Sequence, residues 1–284
     1  MKVDFYKAGV FKQINITKLL KNFINFNLKV GDVLVGNYTN RKWKYGAMST
    51  NERDIRKESI RLCKEAIDFT AEIPGSKVII WPAHDGFDYP FQVNYMDGWK
   101  NIVESYKELC SYNKKVNIAI EYKSKDPRQK QYISNIGKMM MLINDVNMDN
   151  LTGCVDTGHA LMANENLAES VALLFMHNKL GAVHLNENYR DADPDLIFGT
   201  IAFWENLEMY YYLNKINYGG WCEIDIVSPR DNRIKSINLV VKLVRMYEKL
   251  AKGLIEQHVN IIDSNLKKYH FVDNMDLITN ILFK

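Results

Sequence analysis

Short, continuously apolar segments alternate along the chain with longer segments whose apolar residues recur every three to four positions. The short segments predict strands covered by helices, and the longer ones predict amphipathic helices. Six strands follow from this pattern, with the sequences GDVLVGNYT, KVIIWPA, VNIAIEYK, LTGCVDT, LGAVHLNEN and GGWCEIDIV. Strands that alternate with helices indicate parallel βα units, so we expect an α/β fold, a (β/α) TIM barrel.

The two ends of the chain depart from a complete eight-stranded barrel. Only about one helix, ITKLLKNFINFNL, precedes the first predicted strand, so we expect the barrel to lack its first one or two βα units. Residues 1–250 are predicted to form the barrel domain, because no linker-like segment divides them. Residues 251–284 keep a helical spacing of apolar positions and are predicted to be a C-terminal helical extension.

Composition and charge exclude several classes of protein. A net charge of +3, with basic residues scattered along the chain, argues against a nucleic-acid partner. No segment approaches the roughly 18 consecutive apolar residues of a membrane span, and MKVDFYKAGV lacks the apolar core of a signal peptide. The four cysteines are widely spaced, which is typical of buried, reduced thiols. We therefore expect a cytoplasmic protein that has no membrane contact and acts on a small molecule.

Metal-ligand side chains recur where the predicted strands end. Glu121 ends VNIAIEYK, Asp156 and His159 lie in VDTGHA, His184 lies in LGAVHLNEN, and Asp225 lies in EIDIV. Because the carboxyl ends of parallel strands meet on one face, these side chains are predicted to converge. Carboxylates and imidazoles favour Mn²⁺, with Co²⁺ or Mg²⁺ as alternatives, over a structural zinc ion.

Glu223 and Asp225 are both candidates for the metal ligand on the last predicted strand. They are two residues apart on one strand, so their side chains point the same way. The spacing to the following PRDN segment favours Asp225 as the ligand. Glu223 would then lie one layer deeper, as a partner of the ligands.

Two loops add further candidates. Asp193 and Asp195 are two residues apart in RDADPDLIFGT and can face one ion, although DADPD is also typical of an ordinary turn. The segment WPAHDGFDYPFQVNY is rich in aromatic and polar residues, a composition suited to a polyhydroxylated ligand. There we predict that Trp81 stacks on the substrate and that Asp85 and Gln92 bind it by hydrogen bonds.

Several segments together resemble one known family. They are, in order, KYGAMSTNERDIR, WPAHDGFDYPFQVNY, IEYK followed by DPR, VDTGHA, HLNENYRDADPDLIFGT and EIDIVSPRDN. In this order and spacing they resemble the rhamnose-isomerase-type sugar isomerases of the xylose-isomerase-like TIM barrels, over most of the chain. The resemblance implies a homo-oligomeric, metal-dependent aldose-ketose isomerase that acts on an unphosphorylated monosaccharide with two divalent ions per chain.

The resemblance also implies roles for individual residues. Lys123 would lie beside the substrate carbonyl, and His159 and Asp193 would be catalytic residues that help hold an ion, which activates a water molecule or moves during proton or hydride transfer. One ion would be held by Glu121, Asp156, His184 and Asp225, and the other by Asp156, His159, Asp193 and Asp195.

Two alternatives remain at this point. A sugar 3-epimerase of the same superfamily needs one metal with four ligands and two acids that flank the sugar, and it would leave Asp193 and Asp195 without a role. A catalytically impaired, N-terminally truncated homologue that binds sugar or metal is the other. The short N-terminus favours it, because the family's ring-opening histidine belongs to the expected but missing segment.

Overall fold

The computed structural model describes residues 2–7 and 15–282. The strands of these residues are β1 Lys2–Lys7, β2 Lys29–Val35, β3 Val78–Ile80, β4 Gly86–Phe87, β5 Ile118–Glu121, β6 Lys130–Gln131, β7 Leu151–Asp156, β8 Leu180–Leu185 and β9 Cys222–Ile224. The helices are α1 Ile16–Asn25, α2 Arg53–Ala71, α3 Tyr95–Tyr112, α4 Ile136–Val146, α5 Thr157–Met162, α6 Leu167–Met176, α7 Phe203–Lys215, α8 Arg233–Lys267 and α9 Phe271–Leu282.

Seven parallel strands form one curled sheet in the order β1-β2-β3-β5-β7-β8-β9. This order follows the chain, and helices connect successive strands, as in a (β/α) barrel. Strands β4 and β6 form a separate antiparallel pair in the loops. The predicted (β/α) barrel architecture is therefore confirmed, and the described sheet is consistent with a partial barrel.

The sheet contains the six predicted strands and one more at its start. Strand β1 pairs in parallel with β2, so the described sheet is one strand short of eight rather than two. Strand β1 was not predicted from the sequence, because KVDFYK mixes charged and apolar residues instead of forming a continuous apolar segment. The expectation of a single helix before the first strand is corrected accordingly.

The inner face of the sheet carries small apolar side chains below the strand ends. Ile79, Ala119, Cys154 and Ala182 form a buried cluster of their own, separate from the large core between sheet and helices. Each lies on a different strand, and side chains alternate between the two faces of a strand. This cluster lies directly beneath the polar side chains at the strand ends.

Helix α8 continues across residue 250 without a break. Its second half carries the buried Leu254 and Ile262, and α9 packs beside it. The division into a barrel of residues 1–250 and an extension of residues 251–284 stays a prediction.

No helix in the described part of the chain combines the length and the apolar character that crossing a bilayer requires.

Candidate metal centre

Four of the predicted metal ligands come together at the carboxyl ends of their strands. Glu121 ends β5, Asp156 ends β7, His184 lies near the end of β8, and Asp225 directly follows β9. One ligand atom from each of the four lies within 4.8 Å of those of the others. Three of the side chains are buried, and that of Asp225 is 49% exposed, so the group opens toward solvent on one side.

The spacing within this group suits a shared cation. Nδ1 of His184 is buried without a hydrogen bond, and it lies 3.6 Å from Oε2 of Glu121 and 3.6 Å from Oδ2 of Asp225. These distances are too long for good hydrogen bonds. Ligand atoms that bind one ion at about 2.1 Å are separated from one another by about 3.0 to 3.4 Å. The side chains therefore fit a divalent ion with little rearrangement.

Polar neighbours hold the ligands in place. Oδ1 of Asp156 accepts a hydrogen bond of 2.8 Å from the backbone N–H of His159, and Oδ2 accepts one of 2.7 Å from Asn186. Oε2 of Glu223 lies 3.2 Å from Nε2 of His184, at the deeper position that its alternation with Asp225 predicted. Such contacts fix the orientation of metal ligands.

A row of charged side chains borders the ligand group. Oδ2 of Asp193 lies 2.9 Å from Nζ of Lys123 and 3.0 Å from Nε2 of His159, and all three side chains are at least nine-tenths buried. Nδ1 of His159 lies 3.4 Å from Oε1 of Glu121. The ring of Trp81 stacks near His159, with centroids 6.4 Å apart, and Nζ of Lys123 lies 4.9 Å from the Trp81 ring. The predicted catalytic residues and Trp81 thus lie beside the ligand group.

The four residues predicted to hold a second ion do not form a group like that of the first ion. They are Asp156, His159, Asp193 and Asp195. Among residues 2–7 and 15–282, the groups with metal-binding geometry both contain Glu121 and His184 and so mark one site. Oδ2 of Asp193 is paired with Lys123 and His159, and its Oδ1 accepts a hydrogen bond from Asn188. Asp195 has a left-handed backbone, with φ +48°. Two ions per chain stays a prediction.

Burial and crowded charge shift the pKa values of this site. Burial, together with the charges of Glu121 and Asp225, raises the pKa of Asp156 to about 7. Burial and the charge of Asp193 raise the pKa of Asp195 to about 7 as well. Burial by itself would lower the pKa of His159, but Asp156 and Asp193 outweigh it and raise this pKa to about 9. Without an ion the site therefore holds extra protons, which a divalent cation would replace.

Two of the three predicted substrate contacts have hydrogen-bond partners within the protein, and their contact with a substrate stays a prediction. Asp85 is buried, and its Oδ1 accepts hydrogen bonds from the backbone N–H groups of Met48 and Ser49 at 2.8 and 2.6 Å. It anchors the loop before α2. Oε1 of Gln92 accepts hydrogen bonds of 2.6 and 3.0 Å from the N–H groups of Asp88 and Tyr89, so it closes its own turn. Both positions looked suitable in sequence because the loop is rich in polar and aromatic residues.

Two asparagines that were not predicted from the sequence support the site. Besides Asn186, Nδ2 of Asn188 donates to Oδ1 of Asp193 at 2.9 Å and to the carbonyl of Gly158 at 2.8 Å. Positions 184, 186 and 188 alternate along HLNEN, so they point to the same side of the extended chain. That alternation was the signal that could have revealed them.

Known proteins share this arrangement of strands and helices. Residues 5–249 match the family described as xylose isomerase-like TIM barrel. A xylose isomerase of Thermus thermophilus is 25% identical over 192 residues, which cover 66% of this chain and 49% of that protein. The chain thus spans about half the length of this relative.

Solved structures of sugar epimerases show the same fold. An L-ribulose 3-epimerase superposes with a TM-score of 0.70 at 15% identity, covering 90% of this chain and 88% of the other. A D-tagatose 3-epimerase-like protein gives a TM-score of 0.68 at 19% identity, with 87% and 89% covered. The match over residues 5–249 shows that the chain belongs to the xylose isomerase-like TIM barrel family.

Proposed function

We propose that the chain is a metal-dependent aldose-ketose isomerase, similar to the L-rhamnose isomerases, that acts on an unphosphorylated monosaccharide. The observation that carries the proposal is the position of Lys123. Its buried ammonium group lies 2.9 Å from Asp193, beside the four-ligand group and only two residues after Glu121. Isomerisation moves hydrogen between adjacent carbons and needs positive charge at the carbonyl oxygen, which a lysine and a divalent ion can supply together.

The residues around the four-ligand group suit this chemistry. A divalent ion, of which Mn²⁺ is our first choice and Co²⁺ or Mg²⁺ the alternatives, would act as a Lewis acid on the sugar oxygens. Lys123 would donate a hydrogen bond to the carbonyl oxygen and stabilise its developing negative charge. The carboxylate neighbours of His159 raise its pKa in the metal-free chain to about 9 despite its burial, and its Nε2 lies 3.0 Å from Oδ2 of Asp193. His159 would donate a hydrogen bond from Nε2 to Asp193 and so stabilise that carboxylate in its ionised form for proton transfer.

The charge balance favours a substrate without a phosphate group. The ammonium of Lys123 is already paired, with Asp193 at 2.9 Å and Asp126 at 3.3 Å. The surrounding carboxylates would repel a dianion. The indole ring of Trp81 offers a flat surface for the apolar face of a sugar ring.

A ketose 3-epimerase is the second candidate. Two observations favour it: the described residues contain one four-ligand group, and the fold is shared with an L-ribulose 3-epimerase. In this alternative Glu121 and Asp225 would be the two acids that exchange a proton with the substrate carbon. Lys123 would then bind a hydroxyl group.

Product analysis in D₂O distinguishes the candidates. The purified chain is loaded with Mn²⁺ and incubated with a panel of aldoses and ketoses, and the products are followed by NMR. Ketose formation from an aldose supports the isomerase. Epimerisation of a ketose at C3, with deuterium incorporated there, would replace it with the epimerase. Bound Mn²⁺ without any product would overturn both and leave the impaired homologue.

A variant pair tests the residue that carries the proposal. Lys123→Met is expected to lower kcat at least about 100-fold, the scale of losing one electrostatic contact to the transition state. Its Mn²⁺ affinity should stay within about threefold of the original. Lys125→Met removes a half-buried lysine two residues away and is the matched control. Equal losses in the two variants would contradict the role of Lys123.

A further inference from the structure

Cys154 lies directly beneath the four-ligand group. It is on β7, two residues before Asp156, so its side chain points to the same inner face one layer deeper. Its backbone pairs in register with Glu121 of β5. The neighbouring inner positions are the small residues Ala119 and Ala182, which leave the thiol close to the polar layer above.

The thiol belongs to a second group of potential metal ligands. Sγ of Cys154, a carboxylate oxygen of Glu121 and a ring nitrogen of His184 all lie within 4.8 Å of one another. These side chains are almost completely buried, at 0%, 4% and 1% exposed. Nδ1 of His184 makes no hydrogen bond, although the ring is enclosed, whereas Nε2 lies 3.2 Å from Oε2 of Glu223. A buried imidazole nitrogen without a hydrogen bond, near a thiol and a carboxylate, indicates a place for a cation.

We infer that Glu121, Cys154 and His184 form a second, softer ligand set that overlaps the carboxylate site and captures a thiophilic divalent ion such as Zn²⁺ or Cd²⁺. Thiolate and imidazole ligands select such ions, whereas carboxylates suit Mn²⁺ and Mg²⁺. In a tetrahedral site with metal–ligand distances of about 2.0 to 2.3 Å, ligand atoms lie about 3.5 Å apart. Side-chain adjustments of roughly an ångström would suffice. The thiol proton passes to solvent as the metal–sulfur bond forms.

The two ligand sets exclude one another. Both use Glu121 and His184, so an ion bound with Cys154 removes two ligands from the set completed by Asp156 and Asp225. A thiophilic ion would therefore inhibit the chain by replacing the harder ion. This effect on catalysis rests on the proposed function, whereas binding of the thiophilic ion does not.

Titration of the metal-free full chain with Cd²⁺ tests the inference through an optical signal. A bond between Cd²⁺ and a thiolate produces a charge-transfer absorption in the ultraviolet. We expect one equivalent of Cd²⁺ to produce this band and excess Mn²⁺ to abolish it. In Cys154→Ser the band should be absent. Cd²⁺ should bind at least about 100-fold more weakly, since even partners outside the ligand shell are worth about 10- to 100-fold.

Controls separate this site from other cysteines and from misfolding. Cys63→Ser alters another fully buried thiol, on α2, and should retain the band. Mn²⁺ affinity in Cys154→Ser should stay within about threefold, which also reports that the variant folds. ¹¹³Cd NMR of the unaltered chain counts sulfur ligands without any substitution, and one sulfur is expected.

Three outcomes would contradict the inferred ligand set of Glu121, Cys154 and His184. No band in the unaltered chain, a band that survives in Cys154→Ser, or Mn²⁺ and Cd²⁺ bound together would each overturn it. The sugar assay keeps the two proposals apart. The Cd²⁺ band without sugar turnover would contradict only the proposed isomerase activity. Mn²⁺-dependent turnover without the band would contradict only the proposed ligand set of Glu121, Cys154 and His184.

Discussion

Oε2 of Glu223 lies 3.2 Å from Nε2 of His184, on the edge of the imidazole opposite to Nδ1. Nδ1 is the atom that faces the carboxylates of Glu121 and Asp225. A carboxylate behind a ligating histidine fixes the tautomer that leaves the other nitrogen free to bind metal. Strand β9 thus carries Glu223, which orients His184, and the residue directly after the strand is the proposed ligand Asp225.

This relationship predicts the effect of Glu223→Gln. We expect Mn²⁺ affinity to fall by about 10- to 100-fold, because the histidine loses the charge that orients it. Electron paramagnetic resonance of free Mn²⁺ measures the change. Glu104→Gln, on the exposed face of α3, is the control and should leave the affinity unchanged. An unaltered affinity in Glu223→Gln would show that the contact has no such role.

Asp156→Asn should separate metal binding from folding. The variant is expected to bind Mn²⁺ at least about 100-fold more weakly, since a neutral amide replaces a charged ligand. Burial raises the pKa of Asp156 from its ordinary value of 3.8 to about 7, so the metal-free fold loses stability as the pH rises from about 4 to about 7, and this loss is fully present near pH 8. Metal-free Asp156→Asn should therefore melt at a higher temperature than the original chain near pH 8. A lower melting temperature there would contradict this account of the buried charge.

Metal affinity is expected to rise with pH. In the metal-free chain Asp156 is largely protonated below its pKa of about 7, and Cys154, Glu121 and Asp225 together raise the pKa of His184 despite its burial. Both protons must leave when an ion binds, so lowering the pH weakens binding. Between about pH 8 and about pH 6, the Mn²⁺ dissociation constant should increase by about tenfold per pH unit for each proton released. Isothermal titration calorimetry in buffers of different ionisation enthalpy counts these protons.

Asp85→Ala should reduce stability and leave the metal centre intact. Its Oδ1 accepts three hydrogen bonds from residues 48 and 49, and their buried donors would lose their partner. We expect the free energy of unfolding to fall by about 3 kcal/mol in urea denaturation. Asp88→Ala, in the same loop but less buried, should cost less. A stable Asp85→Ala variant with a raised KM would restore the role in substrate binding.

Gly158→Ala tests how tightly the site is packed. A Cβ atom at this position would lie 1.8 Å from Oδ1 of Asn186 and 2.8 Å from Oδ1 of Asp193. Asn186 would have to move away from Asp156, so we expect weaker Mn²⁺ binding and a loss of about 1 to 3 kcal/mol in stability. Gly253→Ala is the matched control, because nothing lies within 4 Å of the added atom in α8. It should stabilise the chain by about 0.5 to 1 kcal/mol.

The sequence by itself determined most of the sheet and the gathering of the four ligands. Covered parallel strands must be apolar throughout, so six of them were visible, and their carboxyl ends necessarily share a face. Glu121, Asp156, His184 and Asp225 could therefore be grouped without coordinates. Strand β1 was not predicted, because its mixed charged and apolar residues do not form a continuous apolar segment.

Only the tertiary structure decided what each remaining polar side chain contacts. Asp85 and Trp81 belong to one loop segment, yet one is enclosed beneath the loop before α2 and the other borders the site. Cys154 had the pattern of a core thiol, and the register of β5, β7 and β8 brings it near Glu121 and His184. Spacing along a chain specifies which face a side chain occupies, but loop paths and strand register set the distances on which hydrogen bonding and metal binding depend.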